Sequence, residues 1–394
     1  MKLPTQVYLL GLVSFLMDVA SEMVYPLLPL FLTGLGAGAG VLGLVEGIAE
    51  ATASLFKVVG GRVSDRVGRR KPLLLLGYGL PAFLRPILAL AQSPVHVLLY
   101  RFLDRTGKGL RTAPRDALLA ESVDKGALGR AYGLHRGLDT LGATVGPFLA
   151  FLLLPHLGIR GVFWASAVPA FLALLALLWV KEAKRQETRP PLPPLRLAAY
   201  LRALPASYRR FLLISGVFAL ALSSNAFLLL RLKELGLSQE QVTLAYTGYN
   251  LLYALLSYPL GSLADRVGLR RVVAWGFSLY ALVYLGFALA QNALWGVTLL
   301  LLYALYSAAF EGSSRAYLAT LVPEATKATA IGLYHTVVGV LLLPASLVFG
   351  ALWQAYGPGL AFGAGAGLAL LALALFLLDG RRPRAYSGSG PTGL

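Results

Sequence analysis

Two short stretches of this chain share one pattern: GRVSDRVGRRK at Gly61–Lys71 and GSLADRVGLRR at Gly261–Arg271. Both follow Gly-x-x-x-Asp-Arg-Val-Gly-x-Arg, and they lie 200 residues apart. Two more residues recur at that offset: Arg115 as Arg315, and His135 as His335. Several matches at a single offset indicate an internal repeat, so we expect two related halves.

The composition around these stretches narrows the class of protein. Of the 394 residues, 57% are hydrophobic and 13% are charged, whereas about 25% of a soluble domain is charged. An ordinary soluble enzyme, a disordered chain and a nucleic-acid-binding domain are thereby excluded. The chain has no Cys, which excludes disulfides, thiolate catalysis and cysteine-bound metal. The four His residues are dispersed, so we expect no metal site and no cofactor.

Apolar segments fill most of the remaining sequence. About twelve of them have the length of roughly 20 residues that crosses a bilayer, six in each half. We predict an all-α membrane protein with one six-helix bundle at residues 1–180 and another at 210–380. The Pro-rich segment 181–209 is predicted to be a cytoplasmic linker, and the Gly-rich tail 381–394 to be disordered.

The residues that give the net charge of +17 lie mostly between the apolar segments. Most Lys and Arg residues outside the apolar segments fall in alternate loops, as in Arg69, Arg70 and Lys71. Positive charge marks the cytoplasmic side of a membrane protein. We therefore expect a multi-pass protein of the cytoplasmic (inner) membrane with both termini in the cytoplasm. Its basic loops would contact anionic lipid, and we expect no nucleic-acid partner.

At Gly61–Lys71 the sequence resembles the signature loop of the major facilitator superfamily, and 261–271 resembles its degenerate second copy. Arg101-Phe-Leu-x-x-x-Gly107-x-Gly109 resembles the family's motif in helix 4, except that Arg105 stands where Gly is usual.

Two further motifs are similar to those of exporters. Gly142-x-x-x-Gly146-Pro147 in helix 5 resembles the exporter motif, although Ala150-Phe151 replaces its final Gly pair. Asp18 followed by Tyr25-Pro-x-x-Pro in helix 1 resembles the twelve-helix drug–proton antiporters.

The resemblance implies the major facilitator fold: two pseudo-symmetric bundles, a central site between them, alternating access and a monomer. It also implies a cytoplasmic gate, in which Arg69 binds Glu121 while the transporter is closed on that side. The alternative is a basic loop that only fixes the topology. The predicted gate residues are Gly61, Asp65, Arg66, Gly68, Arg69, Glu121, Asp265 and Arg266.

Ionisable residues inside the predicted helices are costly in a bilayer and are therefore candidates for function. Asp18, Glu22 and Glu50 are candidate proton carriers, and Arg101 matches the helix 4 Arg that the family uses in proton coupling. The alternative is that these acids form permanent ion pairs with Arg101, Arg105 or Lys108.

The helices of the second half carry many Tyr residues and few charges, unlike those of the first half. Tyr249, Asn250 and Tyr253 share one face of the predicted helix near residues 241–260. They would contact substrate or simply pack against neighbouring helices. Glu311 and Arg315 have the spacing of a helical ion pair. The predicted substrate cavity comprises Glu22, Arg105, Lys108, Asn225, Tyr249, Asn250, Tyr253, Glu311 and Arg315. His135 and its repeat His335 indicate a shared structural or gating position.

Two functions fit these residues. The first is proton-driven export of a small molecule. The second is transport, in either direction, of an anionic or metal-chelating metabolite such as a siderophore, suggested by the dense bases of helix 4. Helix 4 bases that are neutralised by the buried acids favour the first function, and several helix 4 bases that point unpaired into the cavity favour the second. A membrane enzyme or sensor is disfavoured, because the sequence has no nucleophile–base set, metal cluster or phosphate loop.

Overall fold

A computed structural model describes residues 3–67, 69–123, 128–182, 204–322 and 327–379. Side chains are described for these residues except 65–67, 128–130, 133, 265 and 327–329. The predicted tail 381–394 and most of the predicted linker 181–209 lie outside the described residues. Helix begins again at Ala206, inside the predicted linker.

The first bundle contains six helices that pack on one another. Their bounds are α1 Thr5–Val24, α2 Leu28–Gly34, α3 Ala39–Val67, α4 Lys71–Ala89, α5 Pro94–Glu121 and α6 Leu128–Trp179. Pro26 and Pro29 interrupt the first span, because proline cannot donate to a helix ladder, and a 3-10 turn at Tyr25–Leu27 joins α1 to α2. Helix α6 turns back at Gly158, where φ is +63°.

The second bundle repeats this arrangement. Its helices are α7 Ala206–Ala221, α8 Asn225–Glu234, α9 Gln239–Val267, α10 Leu269–Leu289, α11 Ala293–Ala319, α12 Lys327–Tyr356 and α13 Pro358–Leu378. The break between α7 and α8 mirrors the break between α1 and α2. Ser224 caps α8, accepting a hydrogen bond from the Ala226 amide at 3.3 Å.

Nine of the described helices are long and apolar enough to cross a membrane. One of these, 134–179, contains two spans on either side of Gly158. Helices α5 and α9 are equally long but carry more charged or polar residues. The described residues are thus all-α, as expected of a membrane protein.

Contacts between helix ends define two faces. On the face called here the linker face, Gln6 bonds to Lys181, and Arg210 pairs with Asp379 at 2.5 Å. On the opposite, far face, Arg160 donates to the Ala89 carbonyl at 2.6 Å. The first described helix therefore begins, and the last one ends, on the same face as Lys181 and Arg210, which flank the linker.

Among the described residues, the helix pairs that join the bundles include α3 with α12, α6 with α9, α2 with α8, and α3 with α8. Glycine makes the first contact close, since a Cβ on Gly43 would lie 2.3 Å from the Ser346 carbonyl oxygen. Near the far face, the Gly40 amide donates to Gln354 Oε1 at 3.1 Å. Close packing toward the far face therefore joins the two bundles.

Candidate functional site

A cavity of about 420 Å³ lies between the bundles. Both helix breaks contribute to it, through Tyr25 from the first bundle and Leu222–Asn225 from the second. The other lining residues extend toward the linker face; they are Glu50, Arg136, Tyr303, Tyr306, Phe310, Glu311, Ser314, Arg315, Tyr334, His335, Val338, Leu342 and Ser346.

Polar contacts between the bundles close the far side of this cavity. Tyr25 OH and Ser224 Oγ lie 3.1 Å apart, and Ser224 donates to Glu46 at 2.7 Å. Tyr246 donates to Glu22 at 3.2 Å. Among the described residues, the hydrogen bond between bundles nearest the linker face is that from Arg136 to Tyr253, at 3.4 Å. The described part of the chain is thus closed on the far side.

Arg101 pairs with Glu46, and not with any of the three acids predicted to carry protons. Its Nη2 donates to Glu46 Oε1 at 2.5 Å, and both side chains are at most 3% exposed. Its guanidinium also lies 5.6 Å from the centre of the Tyr25 ring. The prediction omitted Glu46; the available signal was its position one helical turn before Glu50. Arg101 and Glu46 thus support the far-side closure from within α5 and α3.

Asp18, Glu22 and Glu50 have no ion pair within the described residues, so the permanent pairing considered above is not found there. Asp18 lines a smaller cavity of about 90 Å³, together with Asp139 and Arg136. Glu22 accepts the Tyr246 hydrogen bond, and Glu50 lines the main cavity. All three side chains are half-buried.

Most bases of α5 are occupied. Arg105 lies 3.6 Å from Asp104, and Arg115 pairs with Asp116 at 2.9 Å. Arg111 donates to the Gly77 carbonyl at 3.0 Å, with its guanidinium over the Tyr78 ring. The Lys108 amine makes no hydrogen bond or ion pair to any described residue, yet it lies within electrostatic range of Asp18, Glu22 and Glu50.

Tyrosines stack along α9 in the second bundle. The ring centres of Tyr246 and Tyr249 are 5.6 Å apart, and those of Tyr249 and Tyr253 are 6.4 Å apart. Tyr249 OH lies 3.1 Å from Ser307 Oγ. Asn250 is buried, and its Nδ2 has no hydrogen-bond partner among the described residues.

The predicted substrate residues fall into two groups. Five of them line a cavity: Asn225, Asn250, Tyr253, Glu311 and Arg315. The other four, as described, line neither cavity: Glu22, Arg105, Lys108 and Tyr249. Arg105 is buried against Asp104, and Tyr249 packs among other tyrosines. Their contact with substrate stays a prediction.

The spacing of Glu311 and Arg315 predicted an ion pair, and this prediction is wrong. Arg315 Nε donates to the backbone carbonyl of Glu311 at 2.8 Å instead. The Glu311 carboxylate accepts a hydrogen bond from Tyr253 at 3.0 Å. Both Glu311 and Arg315 are therefore exposed to the cavity without binding each other's charged groups.

At the linker face, Arg70 and not Arg69 binds Glu121. Arg70 donates twice, at 2.9 and 2.6 Å, and its backbone amide also binds Glu182. Arg69 is exposed. The prediction chose the neighbouring residue because the sequence does not show which of two adjacent arginines turns inward.

The other predicted gate residues are only partly visible. Gly61 faces Ala113 of α5, where a Cβ would fit at 3.4 Å, and Arg266 is exposed. Gly68 and the side chains of Asp65, Arg66 and Asp265 lie outside the described residues.

The repeated Arg–His pairs differ between the bundles. In the first bundle, Ser14 Oγ lies 2.8 Å from His135 Nε2 and accepts from Arg115 at 3.3 Å. His135 Nδ1 also lies 3.6 Å from Asp139. In the second bundle, Arg315 and His335 are exposed and line the main cavity.

Comparison with known proteins agrees with this architecture. The family model of the Major Facilitator Superfamily matches residues 10–232 and 211–393. The chain belongs to the major facilitator superfamily. It is 37% identical over 386 residues to an MFS-type transporter of Methanocaldococcus jannaschii, with 95% of each chain covered.

Two other proteins are similar in different ways. The multidrug resistance protein MdtH of Aeromonas hydrophila is 30% identical over 261 residues, covering 66% of this chain and 65% of the relative. A crystal structure of the nucleoside transporter NupG superposes with a TM-score of 0.81 at 14% identity, covering 95% of this chain and all of that one. The structural match supports the fold, and membrane transport follows from the family.

Proposed function

We propose that this protein is a proton-coupled secondary transporter that exports a small amphipathic molecule by alternating access. The observation that carries the proposal is the cavity between the bundles. It is lined by both halves, and acids without ion pairs lie on it or beside it. Bundles that rock about such a cavity would expose it to one side and then the other.

Proton coupling is supported by the arrangement of α1 and α6. Ser14 lies beside His135, and one turn further along both helices the next facing residues are Asp18 and Asp139. Two carboxylates that share a small cavity can hold one proton between them. Lys108, Arg111, Arg115 and Arg136 provide the surrounding positive charge. Asp18 and Asp139 are therefore the preferred proton site. Glu22, Glu50 and the Arg101–Glu46 pair would link protonation of this site to the opening of the cavity.

Export is supported by two independent features. Arg101 and Arg115 of α5 form ion pairs with acids, and Arg105 lies 3.6 Å from Asp104. Arg111 donates to a backbone carbonyl and lies over the Tyr78 ring. That outcome favours the first function over uptake of a metal-chelating anion by α5. In addition, one relative bears the name of a multidrug resistance protein.

The orientation follows from charge. With the linker face in the cytoplasm, the basic loops would obey the positive-inside rule. The protein would lie in the cytoplasmic membrane as a monomer, in contact with anionic lipid. In this orientation the Arg70–Glu121 pair and the motif at residues 61–68 would act as the cytoplasmic gate, and the far-side contacts would form the outer gate.

A liposome experiment tests the proposal. The purified chain is reconstituted in liposomes with an acidic lumen and an internal pH dye, and permanently charged or neutral amphiphiles are added outside. Export by antiport predicts that one of them raises the lumenal pH, and that Asp18→Asn removes the response. Protein-free liposomes and Asp379→Asn serve as controls. A falling lumenal pH would indicate symport, and substrate flux without proton movement would contradict coupling.

A further inference from the structure

The repeated Arg–His pair has different neighbours in the two bundles. In the first bundle, Arg115 is bound by Asp116 at 2.9 Å, and His135 lies 3.6 Å from Asp139. At the repeat offset of 200, Asp116 corresponds to Ala316 and Asp139 to Gly339. The second bundle therefore keeps the Arg–His pair but lacks both of its acids.

Loss of these acids leaves the Arg315 guanidinium and the His335 imidazole without acidic partners on the main cavity. The Nε of Arg315 is used by the Glu311 carbonyl, but its Nη atoms have no partner within the described chain. His335 contacts the Tyr334 ring edge-on and makes no hydrogen bond to a described residue. Both side chains are exposed and line the cavity beside Ser314.

The first bundle adds a second cation, Lys57. A Cβ on Gly339 would lie 2.1 Å from Ser54 Oγ, so α12 and α3 touch at this point. One turn toward the linker face, the facing residues are His335 and Lys57, and Lys57 is close enough to act on His335 electrostatically. Lys57 is exposed and makes no ion pair among the described residues. The same close contact leaves no room for an acid at Gly339.

The acids that share the cavity have other neighbours. Glu311 accepts from Tyr253, which in turn accepts from Arg136. Glu50 lies within electrostatic range of Arg105 and Lys108. Neither acid forms an ion pair with Arg315, so the positive charge at this end of the cavity is available to a ligand.

The neighbouring wall is aromatic. Tyr306, Phe310 and Tyr334 line the cavity next to Arg315, and the Tyr306 and Phe310 rings stack with centres 5.5 Å apart. Arg binds planar oxyanions through two parallel N–H donors, while stacked rings accept an apolar body.

We propose that Arg315 and His335 bind the acidic group of an amphipathic organic anion, whose apolar part lies against Tyr306 and Phe310. Lys57 closes the site from the first bundle. The proposal rests on the proposed transport function in that it names the class of substrate. The anion is held by the second bundle, not by the bases of α5.

Binding of three naphthalene probes to the full chain in detergent tests this site. The probes share one ring system and differ in charge: naphthalene-2-sulfonate, naphthalene-2-sulfonamide and trimethyl-2-naphthylammonium. Wild-type protein is expected to bind the sulfonate about tenfold more tightly than the sulfonamide, the gain of a charge-assisted hydrogen bond. Arg315→Gln should remove this preference, Arg315→Lys should keep part of it, and Arg315→Glu should shift it toward the ammonium probe.

Arg115→Gln is the matched control, because it removes the repeat counterpart of Arg315 outside the cavity. It should leave the ratio of the dissociation constants of sulfonate and sulfonamide unchanged, even where it lowers stability. The proposal is overturned if wild type shows no preference for the sulfonate, absent binding included, or if Arg315→Gln weakens all three probes equally. This binding assay involves no proton movement, so it fails or succeeds separately from the proposed function.

Discussion

The two bundles descend from one repeat but now differ in where their charges point. In the first bundle, charged side chains bind one another, as in Arg101 with Glu46 and Arg115 with Asp116. In the second, the repeated arginine faces the cavity, and stacked tyrosines line one face of α9. The difference shows that a repeated residue can keep its position in the helix and still differ in role, because its role depends on the side chains around it. We infer that the first bundle couples protons and the second binds substrate.

The largest expected effect is in the buried pair of the first bundle. Glu46→Gln leaves Arg101 buried without a counter-charge, and losing one member of a buried ion pair costs about 3–5 kcal/mol. We expect loss of transport and a large fall in the midpoint of thermal unfolding in detergent.

Asp379→Asn is the control for Glu46→Gln, since it breaks a partly exposed pair with Arg210. Such pairs contribute about 0–1 kcal/mol. If both variants unfolded at the same temperature, the Arg101–Glu46 pair would not support the bundle as argued here.

Much of this comparison could be predicted from the sequence. The repeat, the apolar segments and the loop motif gave the fold, because they depend on composition and spacing alone. Asn225, Asn250 and Tyr253 line cavities between the bundles, and their contact with substrate stays a prediction. Arg70, Glu46 and the Glu311 carbonyl were missed, because each depends on which way one side chain turns, and helical spacing does not determine that.

A smaller effect is expected in the second bundle. Tyr253→Phe removes hydrogen bonds to Glu311 and Arg136 but keeps the ring. A hydrogen bond of this kind contributes about 0.5–1.5 kcal/mol, so substrate should bind about two- to tenfold more weakly, with proton coupling intact. Tyr258→Phe on the same helix is the matched control, because Tyr258 is 85% exposed. If the two changes had equal effects on the dissociation constant, Tyr253 would have no specific role in binding substrate.

The smallest effect on stability is expected at the linker face. Glu121→Gln weakens the pair with Arg70, in which the carboxylate is partly exposed. The free energy of unfolding should change by less than about 1 kcal/mol. The balance between the two transport conformations should change more, which accessibility of a cysteine introduced into the cavity would report. A large loss of stability with unchanged accessibility would make the pair structural and not a gate.

The division between the bundles is tested most directly by measuring proton movement and probe binding on the same liposome preparations of two variants. We predict that Asp18→Asn still binds naphthalene-2-sulfonate but moves no protons. We predict that Arg315→Gln loses its preference for the sulfonate yet still moves protons when an amphiphile is transported. If Asp18→Asn lost the sulfonate preference, or Arg315→Gln stopped all proton movement, coupling and binding would not be divided between the two bundles.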